Sequence, residues 1–175
     1  MREIEALYRT AIRAARRTIY LKSQYFASIS ICEELAARLA EPDGPEVVVI
    51  NPLSAFGWLE EHVMGSARDL RLDMVRRVDR YGRFGIFHPV NAAGEPIHVH
   101  AKVLVVDDRL IRIGSSNINN RSMGFDTECD PAIEASGAEG AAIIATMRDD
   151  LPSEHLDCDA SALREAAREC PIFCV

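Results

Sequence analysis

Residues 97–114 carry the pattern that most restricts how this chain can fold. The segment IHVHAKVLVVDD (97–108) alternates polar and apolar side chains at first and then becomes fully apolar. Alternation with a period of two is typical of a strand, and a continuous apolar run is typical of a strand buried on both faces. DDR (107–109) supplies turn-forming residues, and LIRIG (110–114) has the pattern of a second strand. The segment therefore predicts a β-hairpin.

The other strand and helix patterns alternate along the chain. Strands are predicted over 18–24, 46–50, 84–90 and 128–135, and EVVVI (46–50) is apolar throughout, as in a strand covered on both sides. Pro131 predicts that the last strand is an edge or contains a bulge. Helical spacing predicts helices over 3–17, from Leu59 to near Tyr81, over 138–149 and over 160–169. A further helix is predicted to begin at a capping box formed by Ser30 and Glu33. This order predicts an α/β domain with a mixed sheet flanked by helices.

Length and charge narrow the class of protein. The chain has 175 residues, which suits one α/β domain, and 48% of them are hydrophobic, enough for a buried core. Acidic residues outnumber basic ones by 27 to 20, for a formal net charge of -7. Proteins that wrap nucleic acid usually carry a basic stripe, and none stands out here. Nucleic acid is therefore the less favoured partner.

The cysteines and the N-terminus indicate a reducing compartment. Five cysteines are an odd number, and their spacing fits no zinc site, so free thiols are predicted. The N-terminal residues form a charged amphipathic pattern and not a signal peptide, and no stretch reaches the roughly 18 apolar residues of a membrane span. We expect a cytoplasmic protein, with peripheral membrane contact left open.

The chemistry-bearing residues begin on the first strand of the hairpin. On a strand, His98, His100 and Lys102 would project from one face, since residues two apart share a face. Taken alone, this pattern is more typical of a solvated strand face than of a site. The downstream sequence changes that balance, because Asp107 is followed after six residues by Gly-Ser-Ser-Asn, and Glu128 lies 28 residues beyond His100.

This HxKxxxxD(x6)GSxN arrangement resembles the HKD motif of the phospholipase D superfamily. YLKSQYF (20–26), EVVVI, WLEEHVMG and NNRSMGFDTECD are similar to the C-terminal half of bacterial phospholipase D-like proteins that carry two such motifs. Two places depart from the usual pattern of these proteins. Lys22-Ser23 stands where they usually have an acidic residue and an asparagine, and Pro131 stands where they usually have an aliphatic residue. The resemblance covers residues 1–150, which we interpret as a catalytic half-domain, and leaves 151–175 as a C-terminal helical tail.

The resemblance implies a metal-independent phosphodiesterase or phosphatidyl transferase that works through a phosphohistidine. His100 would be the nucleophile or the acid/base. Lys102 and the Asn117 amide would bind the non-bridging oxygens, and Ser115 would donate a further hydrogen bond. Glu128 would accept a hydrogen bond from the far ring nitrogen of His100 and so fix its tautomer.

Three further residues have secondary roles in this interpretation. Asp107 belongs to the motif but is expected to organise the hairpin turn more than the chemistry. His98 would line the cleft as a wall residue, and Arg121 would bind a phosphate or pair with a carboxylate. No carboxylate–histidine cluster has ligand spacing, so neither a metal nor another cofactor is expected.

Two other functions stay open. The chain contains one H-x-K sequence, whereas the phosphohistidine mechanism needs two imidazoles. An N-terminal half that carries its own HKD motif, with phospholipid as the substrate, is the favoured interpretation. The first alternative is a one-motif nuclease of the same superfamily that acts as a homodimer and binds DNA in a salt-sensitive way. The second is an incomplete fragment that only binds phosphate.

Overall fold

The computed structural model describes residues 2–53 and 65–169, and within them one mixed sheet has six strands. These strands are β1 (Thr18–Lys22), β2 (Glu46–Ile50), β3 (Phe84–Phe87), β4 (Val103–Val106), β5 (Leu110–Ile113) and β6 (Ala132–Glu134). Their order across the sheet is β3-β2-β1-β4-β5-β6. The strands β1, β2 and β3 are parallel, and each later strand is antiparallel to its neighbours. The change of direction falls between β1 and β4.

Helices cover both faces of this sheet. They are α1 (Glu3–Ala14), α2 (Ile29–Leu39), α3 (Ser66–Arg76), α4 (Gly137–Leu156) and α5 (Ala160–Glu169). Buried residues of the first three, such as Tyr8, Leu35 and Val75, pack against Leu21 on one face. Ile144 of α4 belongs to the apolar cluster on the other face. The predicted fold class, a mixed sheet flanked by helices, is confirmed.

The sheet pairing explains where the strand predictions were right and where they were wrong. The apolar run at 46–50 forms β2 without change, and Leu21 at the centre of the sheet lies between Val49 and Leu104. The strand predicted over 97–108 starts only at Val103. On either side of β4, both neighbouring ladders end at Val103, so residues 97–102 have no strand to pair with. The last strand is an edge strand, as Pro131 suggested, but it has only three residues.

The helix boundaries also differ from the sequence pattern. The helix predicted over 3–17 ends at Ala14, because Ala15 is already extended. The predicted capping box of Ser30 and Glu33 is wrong, since Ser28 caps α2 and accepts a hydrogen bond from the Ile31 N–H. Of the long helix predicted from Leu59, residues 54–64 lie outside the described residues, and α3 ends at Arg76. The helix predicted over 138–149 continues through Pro152 to Leu156, so the predicted domain boundary at residue 150 lies inside α4.

Asp107 connects the hairpin turn to the N-terminal part of the chain. It lies between β4 and β5 with a φ of +51°, and its side chain is buried. Its carboxylate accepts hydrogen bonds from the backbone N–H groups of Arg16, Arg17 and Thr18 at 3.0, 2.8 and 3.0 Å. The backbone N–H of Asp107 donates to the Thr18 carbonyl at 2.9 Å. One carboxylate thus holds the link between α1 and β1 against the turn.

We expect Asp107→Ala to lower the free energy of unfolding by about 3 kcal/mol, because three backbone donors would lose a shared acceptor. Urea denaturation followed by circular dichroism measures this. Asp43 is an exposed acid in a loop, so Asp43→Ala is the matched control and should change stability by less than about 0.5 kcal/mol. A loss below about 1 kcal/mol for Asp107→Ala would contradict this structural role.

Candidate active site

The segment that precedes β4 carries two adjacent imidazoles. His98 and His100 are both exposed, and their rings lie face to face with centroids 6.2 Å apart and an interplanar angle of 24°. Val99 between them is buried in the core. The alternation predicted from the sequence therefore holds for these residues, although they lie outside the strand. Both rings are accessible from the same side.

Lys102 differs from the two histidines because it is buried. Its side chain is 7% exposed, and Nζ donates a hydrogen bond to the His100 carbonyl oxygen at 2.6 Å. Burial lowers the pKa of the Lys102 ammonium, the charge of Arg112 lowers it further, and Glu128 opposes both. A partly desolvated cation therefore lies directly beside the backbone of His100, in a place where an anion would be attracted.

The GSSN loop, residues 114–117, follows β5 and is tied to residues 128–130. The Ser115 N–H donates to the Cys129 carbonyl at 3.1 Å and to the Asp130 carboxylate at 3.0 Å. The Ser115 hydroxyl donates to Glu128 and accepts from the Cys129 N–H. Ser115 is consequently held by hydrogen bonds from both its backbone and its side chain.

Asn117 presents an unsatisfied amide in this loop. Its Oδ1 is buried and has no hydrogen-bond partner among the residues that the structure describes. Buried polar atoms are nearly always paired, so an unpaired one is suited to a bound ligand or water. The next residue, Ile118, is anchored by a hydrogen bond from its N–H to the Ser23 hydroxyl and by a bridge to Phe26. The segment 20–26 therefore packs beside the loop.

A fully buried ion pair lies beneath these residues, and the sequence interpretation did not include it. The side chains of Arg112 and Asp130 are 0% and 2% exposed and contact each other directly. Arg112 also donates to the Lys102 carbonyl at 3.1 Å, and Asp130 accepts from the Ser116 hydroxyl. The signal available in the sequence was an arginine within the apolar strand LIRIG, since an unpaired charge is seldom buried.

Hydrogen bonds and an aromatic ring surround this ion pair and favour its charged form. Burial disfavours the charged Asp130, but hydrogen bonds from Arg112 and Ser116 outweigh it and hold the pKa of the carboxyl below its usual value. The Arg112 guanidinium lies over the Tyr8 ring, 4.9 Å from its centroid. Burial raises the pKa of Tyr8 to about 12 despite the opposing charge of Arg112, so the phenol is neutral at physiological pH.

The remaining predicted site residues occupy different surroundings. Glu128 is hydrogen-bonded to Ser115, and in the described part of the chain no hydrogen bond joins it to His100. Arg121 pairs with Asp126 at 2.8 Å, and its predicted role as a phosphate ligand stays a prediction. Asp107 follows the opposite end of β4 from Lys102, about 16 Å away at roughly 3.3 Å per residue. Asp107 thus stands apart from the other site residues.

Gly114 has no room for a side chain. A Cβ at this position would lie 1.9 Å from the Asp130 Oδ1 and 2.6 Å from the Cys129 carbonyl oxygen. The glycine of the GSSN loop is therefore required by the close approach of residues 129–130.

Among the described residues, no three His, Cys, Asp or Glu side chains are grouped to hold a metal ion. Within the same residues, no helix has the length and apolarity that a membrane crossing requires.

Comparison with known proteins finds one matching family model and curated relatives that are named phospholipase D. A family model described as cardiolipin synthase, PLD-like domain, matches residues 8–150. Phospholipase D1 of Schizosaccharomyces pombe is 26% identical over 93% of this chain and 16% of its own length. Phospholipase D zeta 2 of Arabidopsis thaliana is 37% identical over 49% of this chain and 9% of its own. The chain thus spans about a sixth or less of these relatives.

Solved structures share the fold at low identity. Nuc of Salmonella typhimurium, a phospholipase D family member, superposes with a TM-score of 0.61 at 17% identity, covering 83% of this chain and 84% of its own. NucT of Helicobacter pylori gives 0.62 at 14%, with 89% of each chain covered. Phosphatidylserine synthase of Haemophilus influenzae gives 0.66 at 14% and covers 95% of this chain but 42% of its own. At these identities the likeness concerns the fold.

We expect Gly114→Ala to destabilise the protein by about 1–3 kcal/mol, because the added Cβ would collide with the Asp130 carboxylate and a backbone carbonyl. Thermal unfolding measures the loss. Gly124→Ala is the matched control, since its Cβ would meet no atom closer than 3.6 Å and should be tolerated. Equal melting temperatures for the two variants would contradict the close packing described here.

Proposed function

The chain belongs to the family of PLD-like domains described for cardiolipin synthase, and we propose that it provides half of a metal-independent phosphodiesterase site acting on phospholipid through a phosphohistidine. The observation that supports this most strongly is the combination of an exposed imidazole, His100, with the buried ammonium of Lys102, which bonds to its carbonyl. The relatives named phospholipase D and the fold shared with phosphatidylserine synthase favour a phospholipid substrate.

In the proposed reaction, neutral His100 attacks the phosphorus with one ring nitrogen. A neutral nucleophile is not repelled by the anionic oxygens of a phosphodiester as an anion would be. The nitrogen–phosphorus bond forms while the bond to the leaving oxygen breaks, and a second imidazole protonates the departing alkoxide. That imidazole then takes a proton from water or another alcohol, whose oxygen displaces His100 from the phosphorus.

Lys102 and Asn117 stabilise the charge on the non-bridging oxygens during both steps. We assign Glu128 the role of accepting a hydrogen bond from the far ring nitrogen of His100. Its carboxylate already accepts one from Ser115. Because a carboxylate has two oxygens, it can accept from both residues at once. Ser115 then positions Glu128 and donates no bond to the substrate.

The second imidazole must come from outside this chain's own motif. Attack and leaving-group protonation take place on opposite sides of the phosphorus, whereas His98 lies beside His100 with its ring nearly parallel. We favour an N-terminal half that carries its own HKD motif, because the segment 20–26 resembles the C-terminal half of two-motif proteins. In the alternative, two copies of this chain face each other. A two-fold axis would then place one His100 from each copy at the same phosphorus.

We expect His100→Ala to abolish turnover of bis(p-nitrophenyl) phosphate in EDTA-containing buffer, and Lys102→Ala to reduce it by about 10²–10³. His88 is an exposed histidine at the end of β3, so His88→Ala is the matched control and should retain the rate of the original chain. If His100→Ala kept most of the rate, the assignment of the nucleophile or acid would be wrong.

Complete loss of activity on chelation, restored by a divalent ion, would refute the metal-independent mechanism.

We expect turnover per chain to fall on dilution as any functional assembly dissociates. The measurement is a dilution series of activity beside mass from sedimentation, with phosphatidylcholine vesicles and DNA offered as separate substrates. Cleavage of the lipid supports the favoured substrate, whereas salt-sensitive cleavage of DNA would support the nuclease alternative. Robust turnover by a species shown to be monomeric would refute the half-site proposal.

A further inference from the structure

Building on the proposed function, we propose that Arg112 and Asp130 are positioning residues for the reaction. Their buried ion pair sets the placement of the segment 98–102 relative to the GSSN loop. Neither residue touches the substrate. Their effect is transmitted through the backbone of Lys102 and through Ser115 and Ser116.

Arg112 fixes the segment that bears Lys102. The Lys102 carbonyl oxygen accepts one hydrogen bond from Arg112 Nη1 at 3.1 Å and another from the Gly114 N–H at 3.1 Å. Both donors belong to β5 or directly follow it. The backbone at Lys102 is therefore held from its neighbouring strand at the point where β4 begins, and His100 lies two residues before it.

Asp130 fixes the GSSN loop. Its carboxylate accepts from the backbone N–H groups of Ser115 and Ser116, at 3.0 and 3.2 Å, and from the Ser116 hydroxyl. Arg112 reaches the same loop through the Ser116 carbonyl at 3.3 Å. Asn117, whose amide nitrogen can donate to a phosphate oxygen, is the next residue. One ion pair thus contacts both segments whose side chains would bind one phosphate.

Stability does not account for this arrangement. Two charges buried to this degree carry a desolvation cost that their attraction only roughly balances, and apolar replacements of similar volume are often neutral or stabilising. Apolar replacements could not donate to the Lys102 carbonyl or accept from two consecutive loop N–H groups. What the ion pair provides, and an apolar core would not, is the geometry of the site.

The charge of Arg112 also reaches Lys102. Burial lowers the pKa of the Lys102 ammonium, and Arg112 lowers it further. Removing Arg112 removes one of these influences, and freeing the Lys102 carbonyl weakens the other by letting the side chain move towards water. Both changes raise the pKa. In a variant that keeps the charge at residue 112, the Lys102 pKa therefore reports on the positioning alone and without requiring turnover.

The test uses the double variant Arg112→Met/Asp130→Leu and the conservative variant Arg112→Lys. A lysine keeps the charge but cannot donate to the Lys102 carbonyl, Ser116 and Asp130 at once. Glu34 accepts from Arg9 and Arg13 between α1 and α2, away from the site, so Glu34→Gln is the control for loss of a structural ion pair. Each variant is compared in melting temperature, kcat, KM and the Lys102 pKa, the last by carbon NMR of the lysine ε-position.

We expect the double variant and Arg112→Lys to lose about 10- to 100-fold in kcat with KM changed by less than about threefold. The Lys102 pKa should rise in both variants, and the rise in Arg112→Lys reports on positioning alone because the charge is kept. Glu34→Gln should melt earlier with unchanged kcat and Lys102 pKa. If the double variant does not fold, Arg112→Lys alone decides on kcat and KM.

Folded variants with the original kcat and the original Lys102 pKa would overturn the proposal. A drop in kcat for Glu34→Gln equal to that of the site variants would also overturn it, because general destabilisation would then explain the loss. If the original chain itself turns over no phosphodiester, the proposed function fails. The NMR arm still decides on positioning, since a rise in the Lys102 pKa in Arg112→Lys, which keeps the charge, supports it and an unchanged value refutes it.

Discussion

The guanidinium of Arg112 carries a positive charge, and the protein encloses it completely. Its surroundings must therefore offer hydrogen-bond acceptors or negative charge. Its Nε has no hydrogen-bond partner among the described residues, whereas its two Nη atoms and its charge are met by a carboxylate, two backbone carbonyls, a hydroxyl and the face of an aromatic ring. These groups come from α1, from the start of β4, from the GSSN loop and from the segment before β6. A single buried charge thus brings together parts of the chain that are far apart in sequence.

Local patterns predicted the fold well where the structure depends on local periodicity. The apolar run of β2 and the turn between β4 and β5 need only the alternation of side chains and turn-forming residues. The predicted strand over 97–102 was wrong because a strand also needs a partner, and sequence periodicity does not show where neighbouring ladders end. The choice between Ser28 and Ser30 as the cap was equally hidden, since either hydroxyl suits an N-cap.

The sequence predicted which site residues share a face, but it did not predict the contacts that the site residues make. The common face of His98 and His100 follows from two-residue alternation, which survives outside the strand. Arg121 pairs with Asp126, only five residues away, and no spacing in the sequence distinguishes a carboxylate from a phosphate as its partner. The link from Arg112 to Asp130 spans a loop whose path is set by tertiary packing. No periodic pattern encodes such a contact.

The short edge strand also affects how this protein meets other polypeptides. β6 has three residues, and Pro131 directly before it has no N–H to offer. An intruding strand would find only a brief ladder there, even though Ile133 is exposed. This edge of the sheet is consequently a poor template for the edge-to-edge stacking that leads to aggregation. Growth of the sheet by an added strand is therefore disfavoured on this side.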